Sequence, residues 1–348
     1  MQEIYNKRKL GKCLINNEKN DSVTIKRIYW FDNIKFFLML CVVSGHFIQP
    51  YIEGNELLNY IYYFFSFFTM PLFIFITGCF SKRTESNKMD KIIKYILLYL
   101  IMQTIEYFLG GACLGVVKPG FALWYLQAIV MYKLISESIN EIKPIALLVF
   151  SFFMGLFIGF DDFATTVGSL SRIITMFPFY LLGYYAKDAT FEKVKNKKNI
   201  ITAVLILLFG ILLISLIVAG MINMPLEMLY GKMPYKEMNL GVMGVVYRLL
   251  WYFVSIMISF SIIVLIPKRR VVLISELGTR TLQVYCLHIL VFLIFQRSDL
   301  YIYFETINDS IQSVVLLVGS FILTIVLSLK MFSIPFDLLM KRKHAFMK

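Results

Sequence analysis

The stretch from Tyr29 to Pro50, YWFDNIKFFLMLCVVSGHFIQP, constrains the fold of this chain more than any other. It is long and apolar enough to enter a bilayer as a helix, yet it carries Asp32, Lys35 and His46, and ionisable groups facing lipid cost several kcal/mol. At roughly 100° per residue, Lys35 and His46 fall within about 20° of each other around the helix, and Asp32 within about 40° of His46. Gln49 follows His46 one turn on. One face is therefore polar along its length, and it has to line a pocket or cleft inside a bundle. His46 lies roughly 16 Å above Lys35, well within the hydrocarbon thickness.

The remainder of the sequence supplies such a bundle. Of 348 residues, 59% are hydrophobic and only 16% charged, and the mean hydropathy is +0.72, which excludes an ordinary soluble domain. Apolar runs at 33–52, 57–80, 92–110, 122–137, 144–160, 168–186, 200–220, 243–266, 281–296 and 311–333 predict an all-α, polytopic membrane helix bundle of about ten transmembrane spans. The first 28 residues are polar and Lys-rich and lack a small-residue cleavage pattern, so the tail is expected to stay in the cytoplasm. An even span count then places both termini there. Charge supports this topology, because about 26 of the 35 Lys and Arg fall in the segments assigned to the inside. The net charge of +13 follows the membrane orientation and gives no reason to invoke nucleic acid. The expected organisation is a basic tail at 1–28, one membrane domain at 29–335 and a second basic tail, with His344, at 336–348. Cys13, Cys41, Cys79, Cys113 and Cys286 show no metal-ligand or paired spacing and read as small apolar residues.

Candidate chemistry rests on few side chains. His46 and His288 are intramembrane histidines on separate spans, which favours a functional role over simple packing. Arg172 and Arg248 sit near the outer ends of their spans, where snorkelling competes with two-point recognition of a carboxylate or phosphate. Glu106 matches His46 in depth and is a candidate to orient it. Asp32 lies roughly 21 Å below His46 and pairs more naturally with Lys35. Pro71 and Pro178, followed by Gly78 and Gly183, are expected to break their spans. The external segment from Met221 to Gly241 has the length to cap a site. A polytopic transporter of a polar solute or protons would use the same charged stripe, although the inverted repeats common in transporters are not evident. A purely structural membrane partner would not need the stripe.

Five segments, taken in order, bear on this choice: FDNIKFFLMLCVVSGH at 31–46, MPLFIFITGCFSKR at 70–83, ALWYLQAIVMYKL at 122–134, SRIITMFPFYLLGYY at 171–185 and LGTRTLQVYCLH at 277–288. The set resembles the membrane-bound acyltransferase family 3, and within it the fucose 4-O-acetylase-like branch. The resemblance implies transfer of an acyl group, usually acetyl, from acyl-CoA to a hydroxyl of a cell-surface glycan or its lipid-linked precursor. It also implies a multi-pass protein of a bacterial plasma membrane, in contact with membrane lipid and using acetyl-CoA as donor with no permanently bound cofactor and no metal. Carried over by position, His46 is the catalytic histidine, and His288 and Arg172 match further positions of the family's motifs. From the residues themselves, Glu106 is expected to partner His46, His288, Arg172 and Arg248 to bind the acceptor or stabilise the oxyanion, and Asp32, Lys35, Lys82 and Arg83 to bind the donor. Two positions depart from the family pattern: Thr69 stands where many relatives have His, and Lys91 or Lys94 where an Arg is common. His46 would act either as general base or as an acyl relay.

Overall fold

The computed structural model describes residues 28–82, 88–111, 117–139 and 142–341. Ten helices of fourteen residues or more form the framework, one on each apolar run: α1 (Tyr29–Ile48), α2 (Glu56–Lys82), α3 (Lys88–Phe108), α4 (Trp124–Ser138), α5 (Pro144–Phe157), α6 (Leu170–Tyr185), α7 (Lys197–Val218), α8 (Met243–Leu265), α9 (Thr281–Phe295) and α10 (Asp309–Leu327). No strand occurs among the described residues. By length and composition α1, α2, α7, α8 and α10 can cross a membrane, and α9 makes a sixth crossing when joined to the helix Asp299–Thr306, from which it is bent by 77°. The ten expected spans are thus ten helices, of which five or six have spanning character. Helices α4, α5 and α6 rise only about 21–24 Å at 1.5 Å per residue, short of the ~30 Å hydrocarbon core.

Successive helices run up and down, as the contacts at the two ends show. At the basic end the Asn33 amide donates to the carbonyls of Pro267 and Arg269 at 2.8 and 3.0 Å, and Ser275 Oγ donates to Asn33 Oδ1 at 2.6 Å. The start of α1 is thereby fastened to the turn after α8. At the opposite end Asn55, almost fully buried, donates to Gln312 Oε1 at 2.9 Å and accepts from the Leu58 N–H at 3.1 Å, joining α2 to α10. Such amide bonds hold helices together where apolar packing against lipid gives little preference, at roughly 0.6–2 kcal/mol each.

Burial ranks the helices by depth in the bundle. In α1, 72% of the most apolar window is enclosed, against 28% in α7, whose window is also the more apolar at a hydropathy of 3.1. Of these two, the more polar helix occupies the interior, and the greasier one faces outward.

The tightest approach is between α2 and α6. A Cβ at Gly78 would collide with the Tyr180 carbonyl, and one at Gly183 with the Phe75 carbonyl, so each helix places a glycine against the other's backbone. Small residues at such crossings let membrane helices approach closely. Pro71 and Pro178 do not break their spans, contrary to expectation: α2 and α6 run through them as continuous helices. Near the end of the described residues Ile334–Lys341 forms one helix, whose Met340 carbonyl accepts from Lys94 Nζ at 3.1 Å. His344 lies outside the described residues.

These contacts predict a contrast between two glycines. Gly183→Ala should lower the melting temperature in detergent, with a cost of about 1–3 kcal/mol from forced backbone separation. Gly319→Ala on α10, where a Cβ meets nothing within 4 Å, should be neutral or stabilising by up to about 1 kcal/mol.

Candidate active site

Two cavities lie end to end along α1. The one at the basic end encloses about 340 Å³, and four lysines line it: Lys35 from α1, Lys91 and Lys94 from α3, and Lys133 from α4. The one toward the other end encloses about 430 Å³ and holds His46, Gln49 and Arg172. Val42, Met70 and Tyr285 belong to the walls of both, so the two chambers meet at these side chains. The polar face of α1 accordingly opens into one chamber near its start and into the other near its end.

His46 projects into the upper chamber against Phe121, the ring centroids 5.0 Å apart, and its other face stacks on His288 at 5.3 Å with the planes inclined by 29°. His288 is fully buried. Its Nδ1 lies 2.9 Å from the Val284 carbonyl, which can only accept, so Nδ1 carries a hydrogen. Its Nε2 is buried without a partner among the described residues. His288 thus stands behind His46 and is not part of the chamber wall.

Glu106 is also fully buried. Its Oε2 accepts from the Phe121 N–H at 3.1 Å, while Oε1 has no partner among the described residues. The link from Glu106 to His46 therefore passes through Phe121. One turn earlier on α3, Gln103 donates to the Lys118 carbonyl at 3.0 Å and accepts from the Gly120 N–H at 2.8 Å. Gln103 and Glu106 together hold the turn at 118–121 that walls the chamber. Sequence reasoning did not single out Gln103; its spacing of three from Glu106 on one helix face was the available signal.

The arginines divide. The Arg172 guanidinium lies 5.2 Å from the Trp124 ring centroid, a cation–π contact in the chamber wall. Arg248 is fully buried, donating to Thr175 Oγ1 at 3.0 Å and to Met228 Sδ at 3.2 Å, with the Tyr235 and Trp251 rings beside it. It lines neither chamber. Asp32 pairs with Lys35 at 2.9 Å, and of the two only Lys35 reaches the lower chamber. The Lys82 side chain and Arg83 lie outside the described residues. Thr69 faces the upper chamber and Lys91 and Lys94 the lower one, so both departures from the family pattern fall on chamber walls.

Three further features escaped sequence reasoning. Tyr285, at the junction of the chambers, donates to the Ala122 carbonyl. Lys133 joins the lower chamber from α4. The Tyr230 hydroxyl, on the short helix Leu226–Tyr230 of the 221–241 segment, donates to Tyr62 Oη at 2.7 Å. Burial, reinforced by the neighbouring Tyr62 phenol, raises the Tyr230 phenol far above its usual range and keeps it a neutral donor. The segment expected to be external does border the upper chamber, through Leu229, Tyr230 and Lys232.

An apolar helical bundle with a histidine in the wall of one of two adjoining chambers defines a helical membrane protein with an internal site. Residues 28–329 match the family model described as an acyltransferase domain, and the chain belongs to the acyltransferase 3 family. No curated protein and no solved structure matches it.

The two chambers should be reachable from opposite sides of the membrane. In a cysteine-free background, Ser66→Cys in the upper wall should react with a membrane-impermeant maleimide applied outside intact cells. Ser81→Cys in the lower wall should react only in inverted vesicles. Labelling of both from one side would contradict the arrangement.

Proposed function

We propose that this membrane acyltransferase moves an acetyl group from acetyl-CoA to a hydroxyl of a cell-surface or exported glycan, or of its lipid-linked precursor, as in the fucose 4-O-acetylase-like branch. In this reading the protein sits in a bacterial plasma membrane, its ten helices cross or partly cross the bilayer, and both termini are cytoplasmic. The observation that carries the proposal is that the two chambers adjoin at Val42, Met70 and Tyr285, with Val42 one turn below His46 on α1. A donor made inside the cell and an acceptor outside it can meet only if one passage joins the two sides.

The lower chamber suits the donor. Four lysines at its walls offer positive charge to the nucleotide phosphates, and the largely apolar path past Met39, Ile129 and Met70 suits the pantetheine arm. Lys94, held by Asp90 at 2.7 Å, and Lys35, held by Asp32 at 2.9 Å, contribute less free charge than Lys91. Lys35, Lys82 and Arg83 complete the inner mouth in this reading.

The upper chamber brings the acceptor hydroxyl to His46. As the hydroxyl oxygen attacks the thioester carbon, an imidazole nitrogen of His46 takes its proton; the carbon–sulfur bond then breaks, and the departing thiolate recovers that proton to leave as free coenzyme A. General-base help of this kind contributes typically 10²–10⁴-fold. His288 packs against His46 and restrains its ring, while Glu106 fixes the wall at Phe121, so both act as positioning residues. Arg172 faces the acceptor side. Arg248, enclosed by Thr175, Met228 and Trp251, serves the packing of α6 against α8. The transporter reading draws on the same joined chambers, but membership of an acyltransferase family favours group transfer.

Purified protein supplied with radiolabelled acetyl-CoA and surface glycan should move label onto the glycan. His46→Ala should reduce transfer by at least about 10²-fold while the protein still elutes as a single species in size-exclusion chromatography. Near-normal transfer by that variant would remove His46 from the chemistry.

A further inference from the structure

We infer that the upper chamber selects an acceptor carrying an anionic group, a carboxylate or a phosphate, beside the hydroxyl to be acylated. The inference rests on the acyltransferase reading and narrows its substrate class. Three cationic side chains, Lys118, Arg172 and Lys232, share the chamber wall with His46, and among the described residues no Asp or Glu lines it. Residues 112–116, which follow Gly111 of the wall, are Ala, Cys, Leu, Gly and Val and have no carboxylate to add. The neighbouring acids are turned to other uses. Glu106 is sealed behind Phe121, and Glu227 stays off the wall although Tyr230 of the same short helix belongs to it.

Arg172 is the centre of the argument. Its Nε is buried without a hydrogen-bond partner, and no described carboxylate lies within ion-pair distance. The side chain is half-buried, and a cation with part of its fork withdrawn from water gains when a counter-charge arrives. The guanidinium is also held over the Trp124 ring, which orients its fork for two-point binding of a planar anion. Arg248 provides an internal comparison: it too lacks an acidic partner, but Thr175, Met228 and two aromatic rings enclose it away from the chamber. Only Arg172 is left facing open space. Lys118 and Lys232 are exposed and come from separate segments, so they draw an anion toward the chamber without fixing its pose.

Binding without donor tests this directly. The full-length protein in lipid nanodiscs is titrated with a glucuronic acid oligosaccharide, a glycerol phosphate oligomer and a neutral glucose oligosaccharide of equal length. One of the two anions should bind about tenfold or more tighter than the neutral chain, the factor that one charge-assisted hydrogen-bonded pair supplies, and which of them does so separates carboxylate from phosphate. The preference should shrink as salt rises. R172Q should abolish it, and K118Q/K232Q, at exposed positions that do not threaten folding, should weaken it. Equal or tighter binding of the neutral chain, or a preference that survives both variants, would overturn the inference. A second arm adds radiolabelled acetyl-CoA: a clear anion preference with no label moved to any oligomer would refute the reaction while the anion site stood, and label moved to the neutral chain alone would do the reverse.

Discussion

A bilayer will not hold an ionised helix face without shielding, and α1 has such a face. Its enclosure is the constraint on which the remaining structure depends. Helices α2, α9 and α10 and the short helix Val272–Leu277 all pack around α1, and Gly278 lets the chain pass directly over the Asp32 carbonyl. Asp32 and Lys35 neutralise each other at the start of α1, which leaves the imidazole as the polar group of its upper half. The bundle then has to supply space in front of that imidazole, and α2 and α6 wall it through Tyr62, Ser66, Thr69, Arg172 and Met176, while their paired glycines hold the two helices together nearer the basic end.

Much of this was legible in the sequence. The angular coincidence of Lys35, His46 and Gln49 predicts a lined cleft, and those three side chains do face chambers. The ten apolar runs correspond to ten helices. What periodicity does not give is azimuth relative to neighbouring helices. Glu106 has the right depth for His46 but is separated from it by Phe121, and His288 lies behind His46 and off the chamber wall. Length was a second blind spot: the apolar runs at 122–137 and 168–186 resemble spans in composition, yet their helices, α4 at 15 residues and α6 at 16, are too short to cross an average bilayer unaided. Proline was a third, since a break expected from one missing N–H was absorbed by helices packed on both sides.

The two chambers differ in how they are built. The lower one is apolar with lysines around it, a surface that accepts a flexible chain with a charged head. The upper one is lined by aromatic rings and by Arg172, held over Trp124, and the Tyr62–Tyr230 hydrogen bond ties the 221–241 segment to its wall. On the proposed function this asymmetry would separate recognition of the donor from recognition of the acceptor, with Arg172, Lys118 and Lys232 on the acceptor side. It also gives Tyr285 and Met70, common to both chambers, the position at which the two halves communicate.

The central claim is that a donor entering from the basic end reaches the imidazole of α1. A cryo-electron microscopy map of the protein with a non-hydrolysable thioether analogue of acetyl-CoA tests it most directly. The account predicts nucleotide density among Lys35, Lys91 and Lys133 and an acyl end that passes Val42 and Tyr285 to within hydrogen-bonding reach of His46. Density for the analogue outside the lower chamber, or a His46 ring turned toward lipid, would contradict it.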